Sequence, residues 1–511
     1  MGLVTGSLLL LLVPVALTIF KSAYAHLTSP IKSIPGPFFA KFTNVWRLLD
    51  ALGGRAELSH QYLHAKYGPN VRLGPDLVSV SDPELLRKIY DIRGQFTKTN
   101  FYKVGDAKAG NVTIANVFST RNNEDHSKRR SLLNSLYKIG NLVQMETRVD
   151  ETINAFFKCI DQQFVEGPNS DIACPLDEWL LYFAWDVVGQ LTFSKSMGFL
   201  DAGKDHSGFM DTSDRALDYF CVVGQLPALD DWLAKNPIEG IRKKGPPNFD
   251  AAAGYCLEKY MARVQGTDGK SVKTRDMLDD FLEVKSKNSD MDDFAVVSAL
   301  LVNILAGADT TGILLRAIVY YTLKNPAVLK RLQDELDAAD LTSPVSYSAA
   351  CKLPYLDAVI REASRIHPGV GLLLERVVPE GGLQLPGSIF LPPGIKVGMS
   401  AWVVHQNKAV FGQDAASFNP QRWLRDTTLE TEESFAARLA NMKRSDLTFG
   451  AGKRSCLGKE FTLLETYKSM ASLFLKYDMA LTDPEKEWKI QNSWFVRQTG
   501  LDITFLQRRN R

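Results

Sequence analysis

The sequence predicts a mainly α protein, an α-rich α+β architecture with small separate sheets. Three observations carry that expectation. Helical periodicity dominates residues 123–366; one stretch within it, 292–321, is nearly free of helix breakers; and the short apolar runs that read as strands are confined to regions near 71–80, 379–394 and 494–505. Regular alternation of strand and helix, the mark of a doubly wound sheet, is missing from the pattern.

In chain order, residues 8–20 are apolar, reach the low end of a membrane-spanning length together with 3–7, and are closed by Lys21. We expect a membrane anchor over 1–25. A cleaved secretory signal is the competing reading, because Ala23-Tyr24-Ala25 is a plausible processing site, although no basic segment precedes the apolar run. Pro30, Pro35, Gly36 and Pro37 then predict a stiff proline-rich hinge over 26–40. Residues 71–80 read as two strands around Gly74-Pro75-Asp76, and Asp82-Pro83 as the cap and first turn of a helix. The segment 292–321 would span ~45 Å as a helix. Pro379, Gly381, Gly382, Pro386, Pro392, Pro393 and Gly394 punctuate short strands, helix returns after Cys456, and a hairpin is expected around Trp494 to Phe505.

Composition limits the functional classes. The 511 residues contain no Ser/Gly-rich linker or internal repeat, so one large domain over 41–511 is expected. A net charge of +2 argues against a dedicated nucleic-acid surface. The 6 cysteines are irregularly spaced and form no zinc-type Cys-x-x-Cys pair, which suits reduced thiols rather than a disulfide framework.

One of those cysteines stands out. Cys456 ends a glycine-rich basic loop just before a predicted helix, so exposed backbone N–H groups, the positive helix end, Lys453 and Arg454 all favour a thiolate. A thiolate on haem iron pushes electron density to the metal and favours O–O cleavage. A Cys-x-Gly by itself is usually an unreactive core cysteine. The loop is not a nucleotide-binding P-loop, because Leu447 stands where its first glycine belongs and Arg454 replaces the Ser/Thr.

Within the long helix, Ala306, Gly307, Ala308, Asp309, Thr310, Thr311 and Gly312 place two glycines, a carboxylate and two hydroxyls in an apolar stretch. Glycine weakens a helix by ~1 kcal/mol and threonine bonds back to the preceding turn, so a local opening is expected there. The alternative is that the glycines serve close helix packing and Asp309 is a satisfied buried acid. Glu362 and Arg365, three apart, meet on one helix face, and Arg422 lies among aromatics downstream.

The spacing of Phe449, Gly452, Arg454, Cys456 and Gly458 resembles the haem-binding loop of the cytochrome P-450 family. The segment from Ala306 to Thr310 resembles that family's central-helix acid-alcohol motif, and Glu362, Arg365 and Arg422 its Glu-x-x-Arg and Arg triad. The resemblance covers nearly the whole chain and implies the cytochrome P-450 fold, with haem b ligated by the Cys456 thiolate. It implies dioxygen and proton handling by Thr310 and Asp309, and a structural role for the triad. Cofactor contacts would come from Phe449, Arg454, Arg130, Arg376 and His126, the last standing where the family often has tryptophan.

The resemblance further implies a membrane-bound monooxygenase of the endoplasmic reticulum, its N-terminal anchor uncleaved and its catalytic domain facing the cytoplasm. No flavin module or dinucleotide fingerprint occurs in the chain, so NADPH electrons would come from a flavoprotein reductase. Lys128, Arg129, Lys443, Arg444, Lys453 and Lys459 are candidates for its docking face. The substrate would be a hydrophobic small molecule met by residues from 101–118, 217–232 and 303–310, after Pro368 and near Phe495. The texture of the chain resembles filamentous-fungal members, which suggests a terpenoid, alkaloid or polyketide. An electron-independent isomerase or peroxide-rearranging enzyme, or a non-enzymatic haem sensor, are the alternatives.

Overall fold

The computed structural model describes residues 17, 20–109, 112–166, 172–238, 240, 249–270 and 275–508. Most of the expected anchor, including 1–16, lies outside them; residues 20–27 are helical. Among the described residues, the one helix long and apolar enough to cross a membrane is Asp293–Leu323, which is the core helix of the molecule.

Seven helices position the site: α1 (Val45–Leu52), α2 (Asn123–Leu133), α3 (Leu176–Phe193), α4 (Phe209–Val223), α5 (Asp293–Leu323), α6 (Pro354–Ile366) and α7 (Lys459–Lys476). Helix α5 starts where the sequence predicts, with the Asp292 carboxylate accepting the Ala295 N–H at 2.7 Å. It does not open at Ala306 to Gly312. The helix is continuous even though Thr310 and Thr311 do donate their hydroxyls back to the carbonyls of Ala306 and Gly307, each at 2.8 Å. The glycines serve packing instead. A Cβ at Gly307 would sit 3.0 Å from Val188 Cγ2, and one at Gly312 would sit 3.1 Å from Leu181 Cδ1, so both let α3 lie directly against α5.

This α3/α5 contact is the middle of the main core, where Trp185, Val188, Ile304, Leu315 and Phe474 are almost wholly buried. Each such side chain contributes about 1.5–3 kcal/mol of apolar burial. Helix α6 begins at Pro354, its first-turn N–H groups at Tyr355 and Leu356 held by the Glu335 carboxylate at 2.8 and 2.9 Å. It stops at Ile366 because His367 precedes Pro368.

The sheets are small and separate, as expected. The largest has the order β1 (Asn70–Gly74), β2 (Leu77–Val80), β5 (Lys396–Gly398), β4 (Arg376–Val377), β3 (Thr97–Lys98). The β1–β2 pair is the expected antiparallel hairpin, and Asp82 caps the next turn by accepting the Glu84 N–H at 3.0 Å. Strand β6 (Tyr477–Leu481) pairs with β9 (Asp502–Gln507), while β7 (Lys489–Ser493) pairs with β8 (Phe495–Thr499). The C-terminal hairpin thus lies earlier than expected, with Trp494 itself as the turn at φ 76°. The proline-rich segment is docked from Ile31 onward: Ile31 and Ile34 are buried against Val78 and Val80, and the Pro35 carbonyl accepts the Arg72 N–H at 2.7 Å.

Candidate functional site

The glycine loop before α7 is shaped by its backbone. Gly452 has φ 61°, and a Cβ there would fall 2.0 Å from the Tyr90 carbonyl oxygen, so only glycine fits. The loop closes on itself where the Cys456 N–H donates to the Phe449 carbonyl at 2.8 Å. Behind it, Glu362 accepts Arg365 Nη2 at 2.7 Å, Arg422 Nε at 2.9 Å and Trp423 Nε1 at 2.9 Å, all nearly solvent-free. Arg365 also donates to the carbonyls of His405 and Ala415 at 2.9 and 2.6 Å. The His405 ring then joins this network to the loop, with Nδ1 3.0 Å from the Arg365 carbonyl and Nε2 accepting the Leu447 N–H at 2.9 Å.

In front of the loop is a cavity of about 460 Å³. Cys456, Phe449, Arg454, Arg130, Arg376, His126 and Thr310 all line it, so the fold gathers residues that are more than 300 positions apart in sequence. The cysteine is solvent-exposed only in the sense that it faces this internal space. Burial pushes its thiol up, opposed by the Gly458 N–H and the charges of Arg130 and Lys459. The cationic help therefore comes from Arg130 and Lys459 rather than from the Lys453 and Arg454 that the sequence suggests. The reason is direction. Arg454 turns away to the carbonyls of Thr120 and Asn122 at 2.9 and 3.2 Å and to Asn123 Oδ1 at 2.8 Å, and the Lys453 side chain lies along Gly94.

Asp309 is the sequence-predicted residue that the cavity leaves out. Its carboxylate points to the far side of α5, where Trp185 Nε1 donates to Oδ1 at 3.2 Å and Ser213 Oγ to Oδ2 at 3.4 Å. Burial, reinforced by Asp214, raises its pKa to about 7.

The cavity wall is strongly cationic. Arg376 on β4 stands directly opposite Lys98 on β3, a like-charge register that weakens a strand pair. Lys98, buried, donates to the Phe118 carbonyl at 2.6 Å, with its ammonium 4.0 Å from the Tyr102 ring centre and 4.1 Å from that of Phe118. Burial, Arg376 and Arg454 together push its pKa well down. Arg454 falls to about 10 through burial and Arg376, and Arg130 donates to the Ser455 carbonyl at 2.6 Å. His126 is held near 3 by burial and Arg454, so it is a neutral imidazole. The buried Nε of Arg454 and Nδ1 of His126 have no hydrogen-bond partner among the described residues. Three arginines, a buried lysine and two orphaned polar atoms around an apolar cavity suit a planar group bearing two carboxylates. The residues present therefore fit haem, whose propionates would face Lys98, Arg130, Arg376 and Arg454. Lys98 is missed by sequence reasoning and Tyr102 enters it only within the broad 101–118 stretch, because they belong to no spaced motif. Their only signal is a basic residue on an edge strand followed by aromatics.

Comparison with known proteins agrees with this geometry. The family model described as Cytochrome P450 matches residues 35–504. The cytochrome P450 monooxygenase cfoH of Aspergillus candidus is 40% identical over 485 residues, covering 94% of this chain and 89% of that protein. The cytochrome P450 monooxygenase cicH of Emericella nidulans is 38% identical over 470 residues, 91% of this chain and 92% of that one. The cytochrome P450 monooxygenase asR2 of Sarocladium schorii is 37% identical over 493 residues, 94% and 93% of the two chains. The chain belongs to the cytochrome P450 family, whose members hold haem through a cysteine thiolate, and is an enzyme of its monooxygenase class.

Proposed function

We propose that the enzyme inserts one atom of dioxygen into a hydrophobic small molecule, using haem b that the Cys456 thiolate would hold. NADPH electrons reach it through a separate flavoprotein reductase. The observation that supports this reading best is the meeting of the Cys456 thiol, the Thr310 hydroxyl and a set of buried cations in one cavity. Haem, when bound, supplies dioxygen activation, and thiolate ligation favours O–O cleavage. Arg130, Arg376, Arg454 and Lys98 would neutralise its carboxylates, and His126 and Phe449 would be among the residues that hold it. Thr310 holds a proton at Oγ on the cavity side of α5, and Asp309 holds one at its carboxyl on the reverse side. Leu217, Phe220, Ile313, Val370 and Phe495 line the same space, exclude water and fit an apolar substrate. Glu362, Arg365 and Arg422 act by holding the loop in shape.

A surface groove of about 1300 Å³ runs past Phe449 and Gly452, lined by Arg87, Lys88, Arg93, Lys443, Arg444 and Lys459. Its charge suits an acidic reductase. Lys128 and Arg129 do not join it, being paired with Asp290 at 2.7 Å and Asp125 at 2.9 Å. Membrane association is supported by the apolar face of α1, where Val45, Leu49 and Leu52 are exposed four and three residues apart, near the exposed Phe38 and Phe39. The endoplasmic reticulum is the compartment we infer, with 1–25 as anchor, 26–40 as its connection and 41–511 as the cytoplasm-facing catalytic domain. The resemblance of the chain's texture to filamentous-fungal members implies a terpenoid, alkaloid or polyketide substrate from secondary metabolism.

The test is spectroscopic and isotopic. Dithionite-reduced full-length protein under carbon monoxide is expected to show the red-shifted Soret band of thiolate ligation, lost in Cys456→Ser. Product formed under labelled dioxygen carries one labelled oxygen. An unshifted band, or label arriving from water, overturns the reading.

A further inference from the structure

One wall of the cavity is aromatic. Tyr102, Phe118, Phe220 and Trp494 all line it. Ring centres are 5.6 Å apart for Tyr102 and Phe118, 6.1 Å for Phe118 and Phe220, 5.5 Å for Phe220 and Trp494, and 5.9 Å for Trp494 and Tyr102. The four rings close a loop of contacts at interplanar angles between 57° and 90°, the edge-to-face arrangement that aromatic quadrupoles prefer. Trp494 keeps its place at φ 76°, a region that tryptophan enters only when its surroundings compel it, and such strain gathers at ligand sites. Three of the rings are almost wholly buried, whereas Phe118 is 36% exposed. Lys98 Nζ already stands 4.1 Å from the Phe118 ring centre and 4.0 Å from that of Tyr102, so a ligand cation would meet an amine in the position it needs.

The rings adjoin a polar corner. A Cβ at Gly105 would lie 3.4 Å from Phe220 Cε2 and 3.8 Å from Phe118 Cε1. The next residue, Asp106, also lines the cavity and is 8% exposed. Its Oδ2 accepts Arg121 Nη1 at 3.0 Å, while its Oδ1 has no hydrogen-bond partner among the described residues. Donors around it are engaged: Asn116 Nδ2 gives to the Gly105 carbonyl at 3.3 Å, and Lys235 Nζ gives to the Val104 carbonyl at 3.2 Å and is paired with Asp230. The hydrogen-bonding capacity that remains at this corner is that of an acceptor.

Resting on the reading that this cavity holds the substrate of a monooxygenase, we propose that the substrate is a neutral aromatic molecule with a phenolic hydroxyl, its ring packed on Phe118 and its hydroxyl donated to Asp106. Phe118 and Asp106 are then specificity-determining residues. This is the chemistry of an aromatic polyketide. A saturated terpenoid has no π system to meet the ring edges, and the ammonium of a basic alkaloid would compete with Lys98.

The experiment measures dissociation constants in the haem-loaded full chain for four probes on one bicyclic skeleton: β-naphthol, naphthalene, β-decalol and naphthylmethylamine. β-Naphthol is expected to bind most tightly and naphthylmethylamine less tightly than naphthalene, with Lys98→Met recovering part of the amine's loss. Phe118→Leu should lower the preference for β-naphthol over β-decalol by roughly two- to twelve-fold, the range of one aromatic pair. Phe118→Tyr, which keeps a ring, should retain that preference. Asp106→Ala should lower the preference for β-naphthol over naphthalene by about tenfold, the scale of a hydrogen bond to a charged group. Arg121→Ala leaves the acceptor in place and should preserve it. Preferences that stay the same in Phe118→Leu and Asp106→Ala, or an amine that binds as tightly as β-naphthol, overturn the assignment of substrate class. Failure of all four probes to bind wild-type protein overturns instead the reading of the cavity as the substrate site.

Discussion

Asp309 and Thr310 are adjacent in the chain and face different compartments. Thr310 lines the cavity that holds Cys456, whereas Asp309 accepts hydrogen bonds from Trp185 and Ser213 on the opposite side of the same helix. An acid-alcohol pair that reads as one unit in sequence is therefore a junction across α5, because consecutive helical residues diverge by about 100°. The division gives each residue its own measurable consequence.

Removing the Thr310 hydroxyl is expected to lower product formation by roughly 10²-fold, the lower end for a positioned proton donor. Thr310→Ser retains the Oγ that now donates to Ala306 at 2.8 Å and should keep most of the activity. Product and NADPH consumption measured together check this. Equal losses in both variants would mean that the methyl, by packing, matters more than the hydroxyl.

The raised pKa of Asp309 makes a stability prediction with a definite sign. The folded state holds this proton up to about pH 7, whereas the unfolded chain releases it near pH 4. Between those values the native state binds more protons, so its stability falls as pH rises, by about 1.36 kcal/mol per unit and ~4 kcal/mol in all. Asp309→Asn mimics the protonated form. Its melting temperature should match wild type near pH 4 and exceed it increasingly up to pH 7, as followed by calorimetry across that range. A constant gap would place the carboxyl's titration elsewhere.

Glu362→Gln leaves the guanidinium groups of Arg365 and Arg422 without their shared anion in a nearly solvent-free site. A loss of about 3–5 kcal/mol is expected. Because His405 joins Arg365 to Leu447 at the head of the loop, the variant should also bind haem more weakly. Thermal unfolding and hemin titration together read both effects.

Lys98→Met is expected to change sign between apo and holo protein. Without haem, removing a buried amine whose charge is disfavoured by burial and by Arg376 directly opposite should raise stability by up to about 1 kcal/mol. With haem bound, the lost neutralisation of a carboxylate should speed haem release. Faster release with unchanged apo stability, measured by transfer to apomyoglobin and by denaturant unfolding, would show that only the cofactor senses this charge.

Gly452→Ala should destabilise the loop by more than ~1 kcal/mol, since a methyl would overlap the Tyr90 carbonyl and φ is 61°. Gly369, where a Cβ meets nothing within 4 Å, is the control that should tolerate alanine. Comparison of their melting temperatures and carbon monoxide spectra decides it.

The helix-rich fold, the start of α5 at its Asp292 cap, the end of α6 before Pro368 and the β1–β2 hairpin were all legible from local rules. Each depends on residues a few positions apart. The hairpin at Trp494 was misplaced because a tryptophan at positive φ is not turn chemistry; its indole is held there by Phe101, Tyr102 and Phe220 from distant segments. Likewise the expected opening of α5 ignored Val188 and Leu181, whose approach explains both glycines.

By itself the chain determined its class of architecture and the cysteine loop, since periodicity, caps and a ten-residue motif are local and survive as pattern. Folding alone settled which way each side chain turned: Arg454 toward Thr120, Asp309 toward Ser213, Lys98 against Arg376. Those directions come from packing between segments 96 to 334 residues apart. There the cost of burying charge is fixed by neighbours that no sequence interval reveals.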